Sequence, residues 1–197
     1  MRKKSLMLSI SLIAILIIAG SSIAYFNSKD SKDNVFTVGD VDIELTEPGW
    51  KPEEDHIIEP GAAFTKDPTV TNIGKTDAYV RINMTTTDGQ LIDDLMKDAT
   101  YSAEIDKLFP YDSDEWTQGE FVLEGDTLKV SFIRPAILNA GQSAKPLFKD
   151  KVTFSDQIPQ NELDRFGETF EMSFTADAIQ AEGFANATEA FEAFDNN

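Results

Sequence analysis

The chain has a single histidine, His56, and no cysteine, so few kinds of catalytic or metal site are possible in it. His56 follows the acidic stretch Glu53-Glu54-Asp55, so a metal site made of His56 and two carboxylates is one interpretation of this loop. The H-E-x-x-H pattern of zinc hydrolases needs a second histidine. A Ser-His-Asp triad would use His56 as its base, but no G-x-S-x-G supplies the nucleophile. We therefore interpret His56 as a loop residue and expect no enzyme activity.

A second group of candidate ligands lies at Asp112-Ser113-Asp114-Glu115. Alternating oxygen ligands are typical of half a calcium-binding loop, and Asp112, Asp114 and Glu115 are the candidate ligands. The loop lacks the central Gly and the final Glu of an EF-hand. We favour a solvated acidic loop, with a surface Ca²⁺ site as the alternative, and we predict neither a bound metal nor another cofactor.

The net charge of the chain restricts the classes of partner that it can bind. The 197 residues include 17 Lys and Arg against 35 Asp and Glu, for a net charge of −18. Such a negative field repels phosphate backbones, so we expect no nucleic-acid partner. Without cysteines there are no disulfides, and stability must come from the core or from association with other chains.

The first 24 residues have the three parts of a secretory signal. Arg2, Lys3 and Lys4 precede an apolar stretch, and Ser22 and Ala24 are the small residues expected before a cut at Tyr25. The apolar stretch is shorter than the roughly 20 residues that span a bilayer, which favours cleavage over a permanent anchor. We expect a secreted protein that meets the membrane only through its uncleaved signal.

Residues of alternating polarity predict the fold of the remaining chain. Period-two runs indicate strands with one dry face and one wet face, as in antiparallel sheets. Leu91 to Ala99, after Asp88-Gly89 as a capping signal, and Phe184 to Phe194 have helical spacing instead. The sequence predicts a mainly β fold, an antiparallel jelly roll or β-sandwich with short inserted helices and an N-terminal signal helix. The runs that predict strands are Phe36/Val38, Val41/Ile43/Leu45, Val80/Ile82/Met84, Phe121/Leu123, Leu128/Val130/Phe132 and Phe170/Met172/Phe174/Ala176/Ala178. Glu124-Gly125-Asp126 predicts a hairpin turn between the run that ends at Leu123 and the run that begins at Leu128.

Several short phrases spread over most of the chain are informative as a set. The most specific phrase runs from Phe36 to Leu45, is similar to F-T-x-G-x-V-D-I-x-L, and follows an aromatic-rich start at Tyr25. Looser phrases follow along the chain: Glu59-Pro60-Gly61, Lys66-Asp67-Pro68, Val70 to Gly74, Ala78 to Ile82, Leu147 to Phe154, and Ala176 to Phe184. In this order the phrases resemble those of the TasA/camelysin family of Gram-positive surface proteins.

The resemblance implies a jelly-roll protein at the cell surface or in the extracellular biofilm matrix, processed by a SipW-type signal peptidase. Fibre-forming members self-associate by donating an N-terminal strand to the next subunit. The expected organisation is then a signal peptide at 1–24, a mobile N-terminal segment and donor strand at 25–38, and a jelly-roll domain at 39–197. The candidate donor residues are Phe26, Val35, Phe36 and Val38.

Three alternatives stay open at this point. Residues 25–38 also fit the first strand of the chain's own sheet. The protein could be an accessory or anchoring component of a related matrix fibre, which has the same fold but does not propagate the fibre. Camelysin, a metalloprotease of the family, makes a secreted protease the third alternative.

Overall fold

The computed structural model describes residues 41–51, 56–167 and 170–196, which lie within one unit, Gly39–Asn197. Within these ranges the fold is mainly β, with nine strands and a few short helices. The strands are β1 (Ile43–Thr46), β2 (Ala63–Phe64), β3 (Thr69–Asn72), β4 (Ala78–Thr86), β5 (Thr117–Gln118), β6 (Val122–Glu124), β7 (Thr127–Ile133), β8 (Val152–Thr153) and β9 (Met172–Gln180).

All the strand pairs are antiparallel. The largest sheet has the order β5-β7-β4-β9, and β6 also pairs with β7. Two smaller sheets pair β1 with β3 and β2 with β8. The prediction of a mainly antiparallel β fold is therefore confirmed.

The alternation of apolar and polar residues along the strands produces the core, as the sequence predicts. Val80, Ile82 and Met84 of β4 have no exposed surface, whereas Arg81 and Asn83 between them are half-buried on the other face. The alternating residues of β7 are buried in the same way, since a strand with a period of two presents one side chain in two to the core. The predicted hairpin at Gly125-Asp126 joins β6 to β7, with Glu124 opposite Thr127.

The helices are short. They are α1 (Gly89–Lys97), α2 (Ser102–Ile105), α3 (Gln160–Leu163) and α4 (Ala187–Asp195), with a 3-10 turn at Asp106–Leu108. Helix α4 begins after Asn186, whose side chain accepts a hydrogen bond from the Glu189 N–H. Phe184, which the spacing predicts to be helical, therefore lies outside this helix. No helix within the described ranges is both long and apolar enough to cross a membrane.

Asp88 is the N-cap residue of α1, as the capping signal predicts, but its side chain does not supply the cap. Asp88 adopts a left-handed conformation with φ of 53° and its side chain caps no helical N–H. The cap comes from the β6–β7 turn, where the Asp126 carbonyl accepts from the Gly89 N–H at 2.8 Å and its carboxylate accepts from the Gln90 N–H at 3.1 Å. The Asp88 carboxylate instead accepts from the Gly167 N–H.

Gly89 allows this close approach between α1 and β7. A Cβ atom at Gly89 would lie 2.4 Å from the Leu128 backbone N and 2.7 Å from the Thr127 carbonyl carbon, atoms that cannot move without distorting the strand. Glycine is required here for close packing.

We expect Gly89→Ala to lower the free energy of unfolding by about 1–3 kcal/mol, because the clash is with backbone. This result is opposite in sign to the gain of roughly 1 kcal/mol that helix propensity alone predicts. Urea unfolding would measure it. The exposed neighbour substitution Gln90→Ala is the matched control and should change stability by less than about 0.5 kcal/mol. A Gly89→Ala protein as stable as this control would contradict the packing argument.

Helix α4 packs on the outer face of the large sheet through Arg81. The guanidinium donates to Asp177 of β9 at 2.7 Å and to Asp195 of α4 at 2.7 Å, and it lies 4.7 Å from the centre of the Phe191 ring. Phe191 and Ala190 join Tyr79 in a second, smaller apolar cluster on this face. The hydrogen bond from Arg81 lowers the pKa of Asp195.

A carboxylate whose pKa is lower in the folded state stabilises the fold above its unfolded pKa, about 3.9, and this contribution disappears as the pH falls through the folded value. We therefore expect wild type to melt at a higher temperature than Asp195→Asn at neutral pH, and the difference to shrink below about pH 4. Thermal melts of both proteins across pH 2–7 would measure it. A difference that is constant over this range would contradict the role of Asp195.

Candidate functional site

Strand β9 forms one edge of the large sheet, and among the described residues only β4 pairs with it. Its core-facing side chains, Met172, Phe174, Ala176 and Ala178, pack on the main core but are only half-buried. The core-facing residues of the adjacent β4 are fully buried. The apolar layer is therefore incompletely covered along β9.

The hydrogen-bond register shows which backbone groups this edge offers. The Ala181 N–H donates to Asp77 and the Glu171 carbonyl accepts from the Thr87 N–H, so the odd-numbered residues of β9 bond to β4. In an antiparallel ladder the alternate residues then point their N–H and C=O groups away. The outward-pointing groups belong to the even-numbered residues, the same residues whose side chains face the core.

The opposite edge of the sheet is short and interrupted. There β7 pairs with β5 and β6, of two and three residues. Broken edges resist pairing with other chains, whereas β9 offers nine continuous residues. Strand β1 lies beside β9 without a backbone ladder, and with four residues it can flank only part of that edge.

A cleft of about 680 Å³ adjoins the start of β9. Its wall is polar and apolar in about equal parts, and it is contributed by the loop before β2, by β2 and β8, and by the segment that leads into β9. Its lining includes Trp50, His56, Ile57, Ile58, Phe64, Lys66, Val152, Phe154, Leu163, Asp164, Phe166, Phe170, Glu171, Met172 and Ser173. Clefts of this size and character are typical binding sites.

Lys66, in the cleft wall, is buried with only 8% of its surface exposed. Its ammonium lies 2.9 Å from a Glu47 carboxylate oxygen, 4.1 Å from the centre of the Trp50 ring and 5.3 Å from that of Phe174. The ion pair and the two rings compensate for the loss of water around this charge. Sequence reasoning missed Lys66, because nothing local distinguishes it from an exposed lysine.

His56 is a packing residue of the same cleft. Its ring stacks on Trp50 with centroids 4.1 Å apart and meets the edge of Phe64 at 5.2 Å. The preceding acidic residues, Glu53 to Asp55, lie outside the described residues. Within the described part of the chain, no group of three or more His, Cys, Asp or Glu could hold a metal ion.

The structure gives two of the candidate calcium ligands protein partners. Asp112 accepts a hydrogen bond from the Asp114 N–H at 3.1 Å, as in a local turn. Glu115 accepts from Arg134 at 2.6 Å, and both side chains are largely buried. Glu115 therefore joins the turn to the end of β7. The predicted signal positions Ser22, Ala24 and Tyr25 and the donor residues Phe26, Val35, Phe36 and Val38 lie outside the described residues.

Comparison with models of protein families finds no match to this chain, and a comparison with curated proteins finds none either.

If His56 acts through its ring, His56→Phe should preserve stability to within about 0.5 kcal/mol. His56→Ala should lower the free energy of unfolding by about 0.5–1.5 kcal/mol, the usual value of an aromatic pair. Urea unfolding followed by tryptophan emission would measure both, with Trp50→Phe identifying the signal of Trp50. Equal losses in His56→Phe and His56→Ala would show that the imidazole nitrogens matter instead.

Proposed function

We propose that this protein is a secreted, TasA/camelysin-like structural subunit that assembles into extracellular fibres by strand donation. The single observation that carries the proposal is the edge of β9, which has nine continuous residues and an apolar face only half-covered. In this proposal residues 34–38 of one copy add to the β9 edge of the next. The signal at 1–24 is removed by a SipW-type peptidase, and the fibre belongs to the cell surface or matrix.

The hydrogen-bond register of β9 supports pairing between this edge and the donated residues 34–38. The even-numbered residues of β9 carry the core-facing side chains and also the backbone groups that no described strand pairs with, so a residue placed opposite them also faces the core. Phe36 and Val38 are separated by two positions, so both can enter this layer while Thr37 faces solvent. The backbone hydrogen bonds would supply the binding affinity, and the burial of Phe36 and Val38 would fix the register of the donated strand.

The structure allows the edge to be blocked with little damage to the sheet. The Ala176 N–H points away from β4, so Ala176→Pro removes a donor from the free edge and none from the β4–β9 ladder. Thr175→Pro removes a ladder bond and should destabilise the monomer. On the donor side, Phe36→Asp places a charge in the apolar layer.

We expect the chain that begins at Tyr25 to form filaments, and Ala176→Pro and Phe36→Asp each to stay monomeric. A mixture of the two variants should stop at a heterodimer, since Ala176→Pro can still donate its strand and Phe36→Asp can still accept one. Sedimentation and electron microscopy would measure this, and circular dichroism would show that each variant is folded. If Ala176→Pro does not fold, Phe36→Asp mixed with wild type should still cap and shorten the filaments.

Wild-type chain that stays monomeric at high concentration would contradict the proposal. Binding to a different fibre without self-assembly would then favour the accessory or anchoring role. Filaments that form equally well from both variants would show that assembly uses another surface.

A further inference from the structure

We propose that the cleft beside β9 binds the first two residues of the processed chain, Tyr25 and Phe26, from a second copy. This inference rests on the strand donation proposed above and adds an anchoring site to it.

The cleft has the size and walls to take aromatic side chains. Trp50, Phe64, Phe154, Phe166 and Phe170 lie around a volume of about 680 Å³. Phe154, Phe166 and Phe170 contact one another edge to face, with ring centroids 5.3–5.8 Å apart. Additional aromatic rings pack favourably in this geometry. Ile57, a further lining residue, is 69% exposed and leaves apolar surface at the cleft for a partner to cover.

The charge at the rim favours a cationic occupant. Asp164 and Glu171 are exposed at the edge of the cleft, and the hydrogen bond that Asp164 accepts comes from the uncharged amide of Gln160. Cutting before Tyr25 creates a new α-ammonium group next to the two aromatic residues, and Lys29 follows four positions later. Lys29 and Lys32 balance Asp30 and Asp33, so the α-ammonium group gives residues 25–34 a net charge of +1, whereas the rest of the chain is strongly acidic. The new amino terminus is therefore the group that complements the acidic rim.

The length of the segment allows one copy to occupy the cleft and the β9 edge together. The nine residues of β9 extend over about 30 Å, and the ten steps from Phe26 to Phe36 span at most about 33–36 Å when extended. The cleft adjoins Met172, at the beginning of β9. This length allows the donated segment to run parallel to β9, with its aromatic end at Met172 and Phe36 towards Gln180, and this is the direction that we propose.

Cross-linking can test both the site and the direction, because the chain has no cysteine of its own. One chain carries Asn27→Cys, which leaves Tyr25 and Phe26 in place, and a second, epitope-tagged chain carries a cysteine at one test position. Asp164→Cys tests the rim of the cleft, Gln180→Cys tests the opposite end of β9, and Val122→Cys on β6 is an exposed control on the far edge.

We expect a short bismaleimide to join Asn27→Cys to Asp164→Cys in mixed filaments at least tenfold more than to Gln180→Cys or Val122→Cys. A stronger link to Gln180→Cys would overturn the inference, since the segment would then run antiparallel. Filaments that form without any link to Asp164→Cys would also overturn it, while leaving strand donation intact. Absence of filaments from the unmodified chain would overturn the strand donation and the anchoring site with it.

A measurement without cysteines gives a second test. Replacing Tyr25 and Phe26 together by Ala should raise the critical concentration for filament formation about tenfold or more, because two buried rings are lost. The matched control replaces Asn27 and Ser28 by Ala and should change the critical concentration less than about twofold. Equal effects of the two replacements would overturn the anchoring site.

Discussion

The pairing of β4 with both of its neighbours is the constraint on which the rest of the structure depends. β4 forms six register pairs with β7 and nine with β9, and it presents Val80, Ile82 and Met84 to the core with no exposed surface. Because side chains alternate along a strand, this register also fixes the outer face, where Arg81 meets Asp177 and Asp195. A shift by one residue would bury the arginine and expose the core, so one ladder determines both faces of the sheet.

Local patterns in the sequence were sufficient to predict the central strands. β4, β7 and β9 have uninterrupted alternation, and the two-residue turn at Gly125-Asp126 connects strands that are neighbours along the chain. Helix α1 was also predictable from its spacing. Its cap was not, because Asp126 is distant in sequence from the helix and reaches it only through the packing of β7 against Gly89. Local residues alone favoured Asp88, the nearest acidic side chain.

The cleft and the open edge depend on contacts that no local pattern contains. Trp50 and Phe64 are in the N-terminal part of the fold and Phe166 and Phe170 are near its C-terminal part, so their convergence follows from the tertiary packing. The burial of Lys66 is likewise not predictable from local sequence, since it requires both Glu47 and the ring of Trp50. An edge strand and a central strand with equal alternation look alike in sequence, and only the order of the sheet shows that β9 lacks a second neighbour among the described residues.

An edge strand of nine residues with one pairing neighbour, as β9 is among the described residues, is ordinarily a hazard, because an extended chain can pair with it. Two features of this protein restrict the choice of partner. Its high negative charge makes copies of the chain repel one another at long range. At short range, the coincidence of free backbone groups and core-facing side chains on the same residues of β9 admits only a strand that is apolar at alternate positions in the correct phase. Backbone pairing and apolar burial are therefore gained together or not at all, which makes the edge selective rather than generally adhesive.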